Sequence, residues 1–96
     1  MSPTQCSDAE IDKFLDECPG HARSNGALER TYTFGSYGAG VAFAVSVAMA
    51  AEKRDHHPDL LIGWRRVVAR WSTHDAGGIS SLDLEMARAT DALYTP

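Results

Sequence analysis

Three of the four histidines lie in one stretch of the chain and form its main chemical signal. His56 and His57 are adjacent and precede Pro58, and His74 ends an alternating segment further on. Because the residue before a proline disfavours helical geometry, a helix should end near His57 and deliver both rings to a loop. Imidazole titrates near neutral pH, so the cluster suits general acid–base catalysis. The neighbouring carboxylates that could orient the rings are Glu52, Asp55 and Asp75.

Other uses of the histidine cluster remain open at this point. Metal binding is one, because imidazole is a common ligand and Asp55 or Asp75 could complete a site, although adjacent rings rarely converge on one ion. A structural role is another, since a histidine near a helix C-terminus favours the local dipole. A catalytic triad of Ser72, His74 and Asp75 is disfavoured, because neighbours at a strand end seldom reach that geometry.

Capping boxes predict where two helices begin. Ser7 with Glu10 opens an amphipathic helix that should end at Pro19-Gly20. Ser80 with Asp83 opens a final helix in the same way. Its expected apolar stripe consists of Leu82, Met86, Ala89 and Leu93.

Four strands are predicted between these helices. Asn25-Gly26 is typical of a type I′ hairpin turn, with a less evident strand at 21–24 before it and an alternating strand at 28–34 after it. Segments 60–64 and 67–73 are the other two strand candidates. In the last of these, alternation places Ser72 and His74 on one face.

The segment Tyr37–Arg54 alternates like a strand but is long and rich in alanine, which favours a helix. Such a helix would be apolar around most of its circumference. One side would cover the sheet, and we expect the other to meet another subunit.

Length and charge exclude several classes of protein. The 96 residues suffice for a single domain spanning 1–96, and a net charge of −4 argues against direct nucleic-acid binding. The apolar segment 39–51 is shorter than the roughly 20 residues that a membrane-spanning helix needs. With no secretory-type start, the expected compartment is the cytoplasm, where Cys6 and Cys18 would remain thiols.

Seven residues together match the pattern of a known family. The pattern is an acidic or similar residue, then His-His-Pro, an aromatic residue, a histidine and a downstream aspartate. The matching residues are Glu52, His56, His57, Pro58, Trp64, His74 and Asp83. The framework around Leu28, Tyr32 and Phe43 is also alike. By these residues the chain resembles the pterin-4a-carbinolamine dehydratases over about residues 8–93.

The resemblance implies a two-layer α+β fold, in which a four-stranded antiparallel sheet carries helices on one face in the order α-β-β-α-β-β-α. The implied reaction converts a 4a-hydroxy-tetrahydropterin to quinonoid dihydropterin and water, in tetrahydrobiopterin recycling. No cofactor and no metal are implied, and the subunits would form homodimers or homotetramers.

The resemblance also implies roles for the site residues. His56 and His74 would transfer protons, and His57 would bind substrate with some acid–base contribution. Trp64 would line the pocket or serve as an aromatic residue of the core. The complete expected set along the pterin is Glu52, Asp55, His56, His57, Trp64, Ser72, Thr73, His74 and Asp75.

The chain departs from the family pattern at two positions. His21 stands where members commonly have tryptophan, and we expect it to be a surface or hairpin residue. Trp64 stands where many have tyrosine.

Two rival functions remain. One is a non-catalytic binding or assembly partner, like a transcription-factor dimerisation cofactor or a Rubisco assembly factor, using an apolar face around Val41, Val45 and Met49. The other is metal storage or sensing.

Overall fold

The computed structural model describes residues 3–95 and has the predicted order of elements. These elements are α1 (Asp8–Glu17), β1 (His21–Ser24), β2 (Ala27–Thr33), α2 (Tyr37–Arg54), β3 (Asp59–Gly63), β4 (Arg66–Trp71), a 3₁₀ helix (His74–Ala76) and α3 (Ser81–Leu93). The strands form an antiparallel sheet in the order β1-β2-β4-β3. The predicted two-layer α+β fold is therefore confirmed.

The predicted caps and turn account for the element boundaries. The Ser7 hydroxyl accepts a hydrogen bond from the Glu10 amide, and the Glu10 carboxylate accepts one from the Ser7 amide. That backbone donor lowers the pKa of Glu10. Asn25 and Gly26 both have positive φ, at 48° and 77°, as a type I′ turn requires.

The core lies between the sheet and the helices. Strand β4 contributes Val67, Ala69 and Trp71, and β2 contributes Leu28 and Tyr32. The residues that α2 buries are Gly40, Phe43, Ala44, Val47 and Ala51. This side of the helix packs into the core, as predicted.

The opposite side of α2 is apolar and open. Val45 is 56% exposed and Met49 is 60% exposed. None of the helices within residues 3–95 combines the length and apolar character needed to cross a membrane.

The buried side of α3 differs from the predicted apolar stripe. Met86 is buried as expected, but Leu93 is 41% exposed. The residues that α3 buries are Asp83, Met86, Ala87 and Thr90. The prediction counted apolar residues only, whereas two buried residues here are polar and hydrogen-bonded. The Thr90 hydroxyl, for example, donates to the Met86 carbonyl and accepts from the Trp71 indole.

His21 lies in the first hairpin, but the prediction of a surface position is wrong. Its side chain is only 2% exposed, packs against Phe14, and places Nε2 3.0 and 2.9 Å from the two carboxylate oxygens of Asp91. Arg30 and Tyr32 donate to the same carboxylate. Burial, together with that hydrogen bond, raises the pKa of Tyr32. A polar cluster therefore connects the first two strands to α3.

Candidate active site

The C-terminus of α2 delivers His56 and His57 to a loop. The helix ends at Arg54, before the proline, because Asp55 adopts left-handed backbone angles with φ at 49°. The Asp55 amide still donates to carbonyls of the last turn, and the His56 amide donates to Ala51 at 3.2 Å. These bonds fix where the two imidazoles leave the helix.

His56 is held by a buried carboxylate and an aromatic ring. Its Nε2 donates to Oδ1 of Asp83 at 2.6 Å, and Asp83 is completely buried. The imidazole stacks on Trp71 with 5.7 Å between ring centroids and 22° between ring planes. The nitrogen of His56 that contacts Asp83 is therefore Nε2.

The second oxygen of Asp83 is shared with the start of α3. Oδ2 accepts from the Thr73 hydroxyl at 2.7 Å and from the Ser80 amide at 2.8 Å. The Ser80 hydroxyl lies 3.3 Å from the same oxygen. One carboxylate thus caps the helix and orients His56. The sequence predicted the cap, but the bond to His56 was missed, because the expected orienting carboxylates were Glu52, Asp55 and Asp75.

His57 has a more open environment. Its Nε2 donates to Oε1 of Glu52 at 2.6 Å, and the two side chains are 55% and 69% exposed. Glu52 is therefore placed as an orienting carboxylate, as predicted. Because both side chains are exposed to solvent, Glu52 restrains His57 much less than Asp83 restrains His56.

His74 closes the site from the other side. It begins the 3₁₀ helix, with Ser72 and Thr73 between it and the end of β4, and the residue is exposed. A cavity of about 310 Å³ lies between it and the α2 loop. The lining residues are Asp55, His56, His57, Ser72, Thr73, His74 and Asp75. Seven of the nine expected residues therefore line one cavity, and Glu52 is hydrogen-bonded to one of them, His57.

Trp64 lies apart from this group. It occupies the turn between β3 and β4, is 71% exposed, and has the Arg65 guanidinium 5.1 Å from its ring centroid. The alternative that it is a core aromatic is wrong. In the single chain it is not among the lining residues of the histidine cavity.

The site has the groups for proton transfer in a polar, water-accessible cavity. Within residues 3–95, His, Cys, Asp and Glu side chains form no group of three or more arranged to hold a metal ion. The roles of the individual residues stay predictions.

Sequence comparison relates the chain to known proteins. Residues 4–93 match the family model described as pterin 4 alpha carbinolamine dehydratase. The chain belongs to that family. Two relatives provisionally named pterin-4-alpha-carbinolamine dehydratases illustrate this. The one from Roseiflexus sp. (strain RS-1) is 39% identical over 94% of this chain and 97% of its own. The one from Stenotrophomonas maltophilia (strain K279a) is 42% identical over 96% of this chain and 81% of its own.

Two solved structures share the fold of this chain. A crystal structure from Brucella melitensis, described as a transcriptional coactivator/pterin dehydratase, has a TM-score of 0.89 at 28% identity. It covers 96% of this chain and 100% of that chain. A pterin dehydratase-like protein identified as a RuBisCO assembly factor of the alpha-carboxysome has a TM-score of 0.63 at 23% identity, over 76% of this chain and 84% of its own. The latter likeness is one of fold.

Proposed function

We propose that this family member is a hydro-lyase that removes water from 4a-hydroxy-tetrahydropterin and releases quinonoid dihydropterin. The observation that carries the proposal is the single cavity lined by His56, His57 and His74, with His56 fixed by a buried carboxylate. Family membership supplies the substrate class.

The reaction needs one proton delivered and one removed. The C4a–O bond breaks as the hydroxyl accepts a proton and leaves as water, while N5 loses its hydrogen and C4a=N5 forms. Imidazoles with an ordinary pKa near 6.5 can serve both steps at neutral pH. Each transfer typically contributes about 10²–10⁴ in rate.

The geometry favours a division of roles among the histidines. His56, with Nε2 occupied by Asp83, would present Nδ1 to the substrate, and His74 lines the same cavity. Both would transfer protons, and His57, in its exposed pair with Glu52, would bind substrate with a smaller acid–base contribution. The residues that would offer hydrogen bonds to the polar edge of the pterin are Asp55, Ser72, Thr73 and Asp75.

A dehydration assay with synthetic 4a-hydroxy-tetrahydropterin tests the proposal. The protein should accelerate loss of water well above the spontaneous rate. His56→Ala and His74→Ala should each lower turnover at least tenfold while keeping the far-ultraviolet circular dichroism of the parent.

His21→Gln is the matched control, because it removes an imidazole that lies outside the cavity. It should lower stability and keep the rate. A wild-type rate equal to the spontaneous one, or full activity in the His56 and His74 variants, would overturn the proposal.

We also propose that the chain works as a homo-oligomer in the cytoplasm, in pterin recycling. The open side of α2 carries Val45 and Met49, and the edge strand β3 exposes Leu61 and Ile62 with one row of backbone groups unpaired in the sheet. Exposed apolar surface and an uncovered strand edge both favour association. A second copy of the chain is the partner we propose. The rival role, binding of an unrelated protein, would use the same surface.

A further inference from the structure

The plane of the His56 ring is set by a contact that has no assigned role so far. The hydrogen bond from Nε2 to Asp83 fixes one atom of the imidazole but leaves the ring free to rotate about the axis of that bond. The face of the same ring stacks on the indole of Trp71, with 5.7 Å between ring centroids and 22° between ring planes. This stacking opposes the rotation. Asp83 therefore fixes the position of Nε2, and Trp71 fixes the plane of the ring.

The indole of Trp71 is held in turn by Thr90. Trp71 ends β4 and is buried, and its Nε1 donates to the Thr90 hydroxyl at 3.2 Å. The Thr90 hydroxyl has one hydrogen, which it donates to the Met86 carbonyl at 2.7 Å. Towards Trp71 its oxygen can therefore only accept. Both hydrogen bonds have a fixed direction, so the indole has one favoured orientation.

Helix α3 carries both supports of the His56 ring. Thr90 follows Asp83 by seven residues, which is about two helical turns or about 10 Å along the helix axis. Both side chains are buried by the same helix. Asp83 contacts His56 directly, whereas Thr90 reaches it through Trp71. A residue outside the histidine cavity is thus connected to the geometry of the site.

The plane of the ring matters for proton transfer, because donor, proton and acceptor have to lie close to a line. The proposed transfer uses Nδ1 of His56, the nitrogen that does not contact Asp83. Nδ1 lies off the axis of the hydrogen bond to Asp83, so rotation of the ring about that axis displaces it. A displacement of a reacting group by about 1 Å can cost about 10² in rate.

We propose that Trp71 and Thr90 are positioning residues of the dehydration reaction. Trp71 fixes the plane of the His56 imidazole, and the Thr90 hydroxyl fixes the indole of Trp71. The inference rests on the proposed dehydratase function and adds to it two residues that act through His56. Neither residue is among those that line the histidine cavity, so their effect should fall on kcat and not on KM.

Steady-state kinetics with two variants of Thr90 tests this inference. Thr90→Val replaces the hydroxyl by a methyl group and leaves the buried indole N–H without its acceptor. With 4a-hydroxy-tetrahydropterin as substrate, kcat should fall about three- to tenfold, the effect of one neutral hydrogen bond. KM should stay within about twofold. Thr90→Ser keeps the hydroxyl and should restore kcat to within about twofold of wild type.

Nuclear magnetic resonance of His56 gives a second readout, which does not depend on activity. The ring current of the Trp71 indole displaces the chemical shifts of the stacked imidazole protons. In Thr90→Val these shifts should move towards those of an unstacked histidine, and in Thr90→Ser they should keep their wild-type values. His56→Gln identifies the signals by removing them.

Tyr32→Phe is the matched control. It also removes a hydroxyl that bonds to α3, through Asp91, but the aromatic partners of Tyr32 are Phe43 and Tyr94. It should lower stability and leave both kcat and the His56 shifts unchanged.

Trp71→Phe keeps the test decisive if Thr90→Val does not fold. Phenylalanine retains an aromatic face for His56 but has no N–H to bond Thr90. Its kcat should also fall about three- to tenfold, and a wild-type kcat in this variant would refute the positioning role.

The outcomes separate the two proposals. If wild type is active and Thr90→Val keeps its kcat within about twofold, the positioning role is refuted while the dehydratase function stands. The same conclusion follows if Thr90→Ser is as slow as Thr90→Val, if Tyr32→Phe is equally slow, or if the His56 shifts do not move in Thr90→Val. If wild type does not accelerate dehydration, the dehydratase function fails and the positioning role with it.

Discussion

Replacing Asp83 with asparagine should impair stability and catalysis together. Oδ2 of Asp83 accepts hydrogen bonds from Thr73 and Ser80, and Oδ1 accepts one from Nε2 of His56. In Asp83→Asn the amide oxygen can keep the contacts of Oδ2, and the amide nitrogen then faces Nε2 of His56. Two N–H donors would meet there unless His56 moves its proton to Nδ1.

The expected loss of stability follows from burial. Hydrogen bonds to a charged group contribute about 1.5–3 kcal/mol, against about 0.5–1.5 kcal/mol between neutral groups. Asp83 is fully buried and makes hydrogen bonds of 2.6, 2.7 and 2.8 Å. Water therefore cannot reach the site to compensate for the weaker hydrogen bonds of a neutral amide. We expect a decrease of about 2–4 kcal/mol in the free energy of unfolding. In a chain of this length that lowers Tm by at least about 8 °C.

The expected loss of activity in Asp83→Asn follows from the change in the tautomer of His56. With its proton on Nδ1, the His56 ring presents a donor to the cavity and cannot accept a proton there. The rate should fall by about 10²–10⁴, the usual contribution of a positioned acid or base.

Urea unfolding monitored by tryptophan fluorescence and the dehydration assay measure the two effects of Asp83→Asn. Glu52→Gln is the comparison, since it makes the same chemical change in the exposed pair with His57 and should cost less than about 1 kcal/mol. If Asp83→Asn were as stable as Glu52→Gln and retained its kcat within threefold, the carboxylate would not be what orients His56.

Two further predictions concern regions outside the site. Tyr32→Phe removes a hydroxyl that donates to Asp91 at 2.6 Å and should cost about 1–2 kcal/mol. Because burial raises the pKa of Tyr32 above that of the unfolded chain, its contribution is complete below pH about 10 and is lost as pH rises further. Urea unfolding at pH 8 and 11 should therefore show a larger loss for wild type than for Tyr32→Phe, and equal losses would contradict this. Val45→Lys combined with Met49→Lys should reduce the mass found by light scattering to the 10.4 kDa of one chain, and a wild-type chain already monomeric would refute the proposed association.

The order of elements was accessible from sequence because local signals dominate it. Two capping boxes and the Asn25-Gly26 turn each specify a boundary by contacts within a few residues. The bounds of α2 were predicted correctly because length and alanine content outweighed its alternating pattern. In each case the deciding interactions lie close together along the chain.

The missed features depend on contacts between distant segments. The bond from His56 to Asp83 joins residues 27 positions apart, and the bond from His21 to Asp91 joins residues 70 apart. Spacing along the chain carries no information on such distances. The exposure of Trp64 was missed because the expected strand 60–64 included it, whereas β3 ends at Gly63 and Trp64 lies in the turn that follows.

The shared carboxylate of Asp83 links the start of α3 to the position of His56. Any fluctuation that frays the first turn of α3 withdraws the group that fixes His56, so local unfolding and loss of the proton-transfer geometry become one transition. Selection for turnover would then also select for a stable first turn of α3. The protein cannot trade rigidity at Ser80 and Asp83 for adaptability without losing the alignment of the His56 ring.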